Sequence, residues 1–265
     1  MQSRLIKYKE SLIHVSVFGN GPKQLLCFHG FGQEGNCFAV LEKELGKTFT
    51  LFAIDFPFHG KTEWKQGLEM THDDLQNILA LIVNEQQFSI LAYSLGGRIA
   101  LHLLQTIPGQ IEQLVLIAPD GLKVNFWYWL GTQTWAGNRI FAYTMKNPQW
   151  FFALLNAGHK TGLVNKSIIK FVRHNIGEET VRLELYKRWT TLRHFKPDLT
   201  IIKAVIKKKA IPMRLLYGSY DRITLSKRSD FIKKDNDHVT VTVVEGGHEL
   251  LKEKFAATIA SLFSK

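Results

Sequence analysis

The sequence predicts an α/β fold, a mostly parallel sheet with helices on both faces. Three observations predict it. Short apolar runs closed by glycine or proline recur along the chain. They alternate with segments whose apolar residues repeat at helical spacing, and that order of strand and helix is the signature of parallel crossover units. The 265 residues are 45% hydrophobic, enough to bury a sizeable core and to argue against disorder.

The elements follow in order. LIHVSVFGNG (Leu12 to Gly21), KQLLCFHGFG (Lys23 to Gly32) and FTLFAIDFPFHG (Phe49 to Gly60) each read as a strand that runs into a turn. Between the last two, NCFAVLEKELGK has helical spacing with Gly46 as its stop. THDDLQNILALIVNEQ is a strong helix. Thr71 caps it, Asp74 completes a box-like start, and Leu75, Ile78, Leu79 and Ile82 form its apolar stripe. The strand FSILAYS, the helix GGRIALHLLQTI and the strand IEQLVLIAP come next.

The rhythm breaks after Pro119. Asp120 to about Phe195 is mainly helical and crowded with aromatics, as in NFWYWLGTQTWAGNRIFAYTM, PQWFFALLNAG, SIIKFVRHNI and ETVRLELYKRWTTL. The alternation then returns with a helix (DLTIIKAVIKK), a strand (IPMRLLYGSYD), a helix (LSKRSDFIKK), a strand (HVTVTVVEGGHE) and a final helix (LLKEKFAATIASLF). The helical stretch therefore reads as an insertion between two strands of one core.

Formal net charge is +11, with basic clusters in KAVIKKKA and SKRSDFIKK. Charge runs of this kind are expected to be solvated helix faces. No zinc-finger spacing, RNP motif or recognition helix accompanies them, so nucleic acid is not an expected partner. Cys27 and Cys37 lack metal-ligand or redox spacing and demand no oxidising compartment. The first residues hold no continuous apolar run of the signal-peptide kind, and no run is long enough to span a bilayer. A cytoplasmic protein is the expectation.

The chemistry concentrates at Ser94. A serine hydroxyl is a poor nucleophile unless a base lies within hydrogen-bond reach, a third group orients the base, and N–H donors await the oxyanion. Ala92-Tyr93-Ser94-Leu95-Gly96-Gly97 puts a serine between a strand and a helix with small residues around it. This resembles the nucleophile elbow of the α/β-hydrolase superfamily, with Ala92 in place of the commoner first glycine. CFHGFGQEG (Cys27 to Gly35) resembles that family's HG-x segment after the third strand, and IDFPFHGKT (Ile54 to Thr62) its D-x-P-x-H-G-x-S/T loop. The Gly60-Lys61-Thr62 run is not a phosphate loop, because Asp55 stands where the first glycine belongs. YGSYDRI and EGGHEL complete the family's order of nucleophile, acid and histidine.

The resemblance implies an α/β-hydrolase core over residues 1–119 and 197–265, with a helical cap over 120–196 inserted after the sixth strand. It implies Ser94 as nucleophile, His248 as base and Asp221 as the orienting acid, and the backbone N–H groups of Phe31 and Leu95 as oxyanion donors. Asp120, in IAPDG, also follows a strand and is the alternative acid. His29, His59 and Asp55 match loop-forming positions and are read as structural. Haloalkane dehalogenases and epoxide hydrolases are disfavoured, since both need an aspartate at the elbow. No metal or organic cofactor is implied.

Expected substrate contacts are Tyr93, Arg98, Phe126, Trp127 and Trp150. The aromatics of the insertion suit an apolar acyl or aromatic ester or thioester. YSLGGR also resembles the elbow of SHCHC synthase-type lyases, in which case Arg98 would clamp a carboxylate; its plainer role is an ion pair on a helix. A C–C hydrolase or lyase on the same three residues, and a receptor-like binding module with incidental turnover, remain the alternatives. Arg139, Lys146, Lys160 and Arg173 would let the insertion rest weakly on anionic membrane.

Overall fold

A computed structural model describes residues 2–83, 87–123, 126–161 and 176–263. Arg173 and most of the SIIKFVRHNI segment lie outside the described residues. Eight strands form one sheet: β1 (Gln2–Tyr8), β2 (Ser11–Phe18), β3 (Lys23–Phe28), β4 (Phe49–Ile54), β5 (Phe88–Tyr93), β6 (Ile111–Ile117), β7 (Met213–Gly218) and β8 (Val239–Val244). Their order across the sheet is β1-β2-β4-β3-β5-β6-β7-β8. β1 and β2 run antiparallel to their neighbours, and β4, β3, β5, β6, β7 and β8 are mutually parallel.

Ten helices occur among the described residues: α1 (Glu42–Leu45), α2 (His72–Ile82), α3 (Leu95–Thr106), α4 (Phe126–Gln133), α5 (Trp135–Lys146), α6 (Gln149–Lys160), α7 (Glu179–Thr191), α8 (Leu199–Lys209), α9 (Asp230–Lys233) and α10 (Ala256–Ser261). The central strands are apolar through most of their length because both faces are covered, with Lys23, Gln24, Glu112 and Gln113 towards the amino ends of β3 and β6 and Arg214 in β7. Leu25, Cys27, Leu91, Val115 and Leu216 pack with Phe38, Leu41 and Ile259 on one face. Their alternating neighbours Leu26, Phe28, Ile90, Leu114 and Leu215 are buried on the other. Helix α2 begins as its sequence predicts: Thr71 Oγ1 accepts from the Asp74 amide, and the Asp74 carboxylate accepts from the Thr71 amide. Tyr8 and Lys9 also donate to Asp74, each at 2.7 Å.

The sequence reading missed β1. Its side chains are mostly exposed and include Arg4 and Lys7, so it lacks the apolar run that marks a buried strand. Register against β2, from Gln2 opposite Val17 to Tyr8 opposite Ser11, is what makes it a strand. Three expected helices are shorter than their spacing suggests. NCFAVLEKELGK is a 3-10 turn followed by the four-residue α1, LSKRSDFIKK a 3-10 turn followed by α9, and LLKEKFAATIASLF a 3-10 turn followed by the six-residue α10.

The chain divides into two compact units. One comprises Met1–Gln66, Thr71–Lys123 and Phe195–Lys265; the other comprises Gly67–Met70 and Val124–His194. The first contains the whole sheet. The second is helical, with α4 to α7 lying in sequence between β6 and β7. The 67–70 strip, which the sequence reading leaves in the core segment, is held to the helical unit. The Met70 amide donates to the Thr191 carbonyl, and Arg193 donates to the Leu68 carbonyl at 2.6 Å. Among the described residues no helix is long and apolar enough to cross a membrane.

Candidate active site

The parallel strands put their carboxyl ends on one edge of the sheet, where α/β proteins collect functional groups. β3 delivers His29, Gly30 and Phe31 there, β5 delivers Ser94, β7 leads to Asp221 and β8 leads to His248.

Ser94 sits at φ 48° and ψ −113°, a backbone conformation that side chains rarely adopt. The bend leaves no room beside it. A Cβ on Gly96 would lie 2.1 Å from the Phe28 carbonyl oxygen, and one on Gly97 would lie 2.6 Å from the Pro119 Cβ. The chain therefore needs glycine at both places. The Ser94 amide donates to the Ile117 carbonyl, and the Gly96 amide donates to the His29 carbonyl. These bonds tie the elbow to both flanking strands. Leu95 opens α3, so its N–H has no acceptor within the helix.

The hydroxyl, imidazole and carboxylate meet. His248 Nε2 is 3.0 Å from Ser94 Oγ, and His248 Nδ1 is 2.8 Å from Asp221 Oδ2. Asp221 is fully buried at its side chain, yet its carboxyl is held below the usual carboxylate range. Burial pushes it up; the Thr224 hydroxyl, His248 and the amides of Thr224 and Ile223 outweigh that and favour the anion. Thr224 Oγ1 donates to Asp221 Oδ2 at 2.6 Å, and the two amides donate to Oδ1. An ionised Asp221 holds the Nδ1–H tautomer of His248 and leaves Nε2 as the acceptor facing Ser94.

A family model described as alpha/beta hydrolase fold matches residues 23–255. The chain belongs to this family. A pimeloyl-[acyl-carrier protein] methyl ester esterase of Nitrosomonas europaea is 29% identical over 121 residues, which cover 44% of this chain and 46% of that protein. The chain thus spans about half the length of that curated relative. A Mycoplasma genitalium protein provisionally named esterase/lipase 2 is 24% identical, with 88% of this chain and 86% of that protein covered. Among solved structures, an α/β hydrolase from a Medee basin deep-sea metagenome superposes with a TM-score of 0.70 at 15% identity. That match covers 99% of this chain and 98% of the other, and shows the shared fold.

Within the α/β-hydrolase frame, the remaining sequence-predicted residues take distinct places. The loop of Phe31 is fixed by its neighbours: the Gly30 amide donates to Gln33 Oε1, and the Gln33 amide donates to the Gly30 carbonyl. His29 bridges two loops. Its Nε2 accepts from the Phe56 amide at 3.1 Å, so its Nδ1 is the N–H that donates to the Gly30 carbonyl. Asp55 accepts from the amides of Gly35 and Lys61 and pairs with His14 Nδ1. His59 Nδ1 bonds the Pro57 carbonyl. All three act as the loop pins the sequence predicts.

Tyr93 differs from expectation. It is 4% exposed, its ring lies against His248, and its hydroxyl donates to the His248 carbonyl at 3.2 Å. Its contacts are with the histidine. Burial pushes its phenol above the ordinary range, so it stays a donor. Arg98 is buried and its guanidinium pairs with Asp120, which also accepts from the Gly121 amide. That pairing occupies the alternative acid, and it is Asp221 that reaches His248. Phe126, Trp127 and Trp150 all lie in the helical unit and are exposed. Thr224 is the member of the cluster that sequence reasoning missed; its signal is its place three residues after Asp221.

Proposed function

We propose that this chain is a serine hydrolase that cleaves an ester or thioester of a small apolar acyl or aromatic substrate through an acyl-enzyme on Ser94. The observation that carries the reading is the continuous path of hydrogen bonds from Ser94 Oγ through His248 to a buried, anionic Asp221.

In this mechanism His248 Nε2 takes the Ser94 proton as Oγ attacks the acyl carbon. The N–H groups of Leu95 and Phe31 receive the oxyanion at the amino end of α3, where the helix dipole favours negative charge. The imidazolium, stabilised by Asp221, then protonates the departing alcohol or thiol. A water molecule repeats the sequence on the acyl-enzyme: His248 removes its proton, the acid leaves, and Ser94 regains its hydrogen. The name of the Nitrosomonas europaea relative, an esterase for the methyl ester of a carrier-bound acyl chain, supports a carboxylic ester as the bond broken. The Arg98–Asp120 pair weighs against the lyase alternative, since a guanidinium already matched by a carboxylate is a poor clamp for a second one.

Labelling with a fluorophosphonate probe, followed by a panel of p-nitrophenyl esters and acyl thioesters, tests the proposal. Wild-type protein is expected to label and turn over, and Ser94→Ala to do neither. Equal labelling of the variant would remove Ser94 as the nucleophile.

A further inference from the structure

We propose that the helical unit is a docking surface for an anionic lipid bilayer. The sequence supplies the first observation. From Gly121 to Gly177 there is no aspartate or glutamate, while seven lysines and arginines occur, and four of the six tryptophans of the whole chain fall there. A protein surface ordinarily mixes both signs, so a stretch of this length without an acid is unusual; the acids of the helical unit are Glu69, Glu178, Glu179 and Glu184, outside the stretch.

The structure supplies the second. In α5, Trp135, Arg139, Tyr143 and Lys146 recur at intervals of four, four and three, so they share one helix face. All four are exposed, Trp135 at 75% and Tyr143 at 59%. The Arg139 guanidinium lies 4.8 Å from the centre of the Trp135 ring. The opposite face is already used. Phe141 packs against Tyr186 and Trp189 of α7, and Asn138 donates to Thr190. The stripe is therefore an outward surface of a helix whose packing requirements are met elsewhere.

The composition selects the occupant. Tryptophan and tyrosine beside lysine and arginine suit the boundary between headgroups and acyl chains, where rings take the interface and cations meet anionic headgroups. A second copy of this chain would bring the same positive field and be repelled. Single-stranded nucleic acid would match the charge and the rings. It has no use for exposed aliphatic side chains, yet Ile140 and Leu154 are 58% and 61% exposed in the same unit. This inference does not depend on the proposed hydrolysis, and its test reads binding alone.

The experiment is flotation of the full chain with vesicles of phosphatidylcholine alone or with about one-third phosphatidylglycerol, at about 50 mM and 500 mM NaCl, where screening differs severalfold. Binding is expected on the anionic vesicles at low salt, with release at high salt. Each basic residue near an anionic surface is worth roughly a fivefold change in partitioning, so Arg139→Glu with Lys146→Glu should lower binding at least tenfold. Trp135→Ser should lower it as well, with the melting curve unchanged. In the wild type, lipids brominated in the acyl chain should quench tryptophan emission, which keeps the test open if a variant misfolds. The proposal is overturned by absent binding to anionic vesicles, by binding that the stripe variants leave intact, by absent quenching, or by tighter binding to a single-stranded oligonucleotide than to the vesicles.

Discussion

Gly96→Ala adds one methyl group, and the structure says where it goes. The new Cβ would stand 2.1 Å from the Phe28 carbonyl oxygen, where real Cβ atoms keep at least 3.0 Å, a shortfall of about 0.9 Å. The obstacle is backbone of a central strand, so no rotamer relieves it. Relief must come from α3 sliding away from the end of β3. That motion stretches the 3.1 Å bond from the Gly96 amide to the His29 carbonyl, the tie between the elbow and the loop of Phe31. The two proposed oxyanion donors sit on opposite sides of that tie. Overpacking of this kind costs about 1–3 kcal/mol in stability, and a displacement near 1 Å at a reacting centre costs on the order of a hundredfold in rate. For a domain of this size the stability loss should lower the melting temperature by several degrees. The assay is kcat/KM on a p-nitrophenyl ester beside a thermal melt. A variant with activity within threefold of wild type and an unchanged melting temperature would refute the reasoning.

Asp221→Asn should leave KM nearly unchanged and lower kcat by roughly 10⁴, because the amide favours the wrong imidazole tautomer; steady-state kinetics checks it. Thr224→Val removes a hydroxyl bonded to a buried anion and should destabilise by about 1.5–3 kcal/mol at neutral pH. The Asp221 carboxyl is held low in the fold, so its stabilising contribution is present above the unfolded carboxylate pKa and lost as pH falls through the folded value. Urea melts near pH 7 and near pH 3 should therefore show the penalty of Thr224→Val shrinking in acid, and an equal penalty at both would contradict the assignment. Asp74→Ala removes the second half of the α2 capping box and the partner of Tyr8 and Lys9. About 1–2 kcal/mol of stability should be lost, with kcat/KM unaffected, by denaturation and ester assay together.

What was legible in the sequence is what local rules control. Thr71 and Asp74 announced the start of α2 through chemistry confined to four residues. Gly96 and Gly97 announced the elbow, because only a backbone under steric pressure needs both. The carboxyl-edge placement of Ser94, Asp221 and His248 followed from parallel strands once the alternation was read. Long-range pairings were not legible. Tyr93 meets the backbone of His248 from 155 positions away, and Arg98 finds Asp120 22 positions on. Helical spacing identifies a face but not what covers it, so the aromatics assigned to a pocket could not be distinguished from an outward stripe like that of α5. β1 was invisible because its strand character lies in pairing with β2, not in its own side chains.

The left-handed turn at Ser94 carries an evolutionary consequence. Glycine would occupy φ 48° without penalty, whereas serine there holds the chain in a conformation worth roughly 1–3 kcal/mol of strain. If Ser94 is the nucleophile proposed above, thermal robustness and turnover pull this one position in opposite directions. A lineage freed from selection for chemistry should drift to glycine at 94 and grow more heat-resistant, while 96 and 97, which the architecture itself demands, stay as they are.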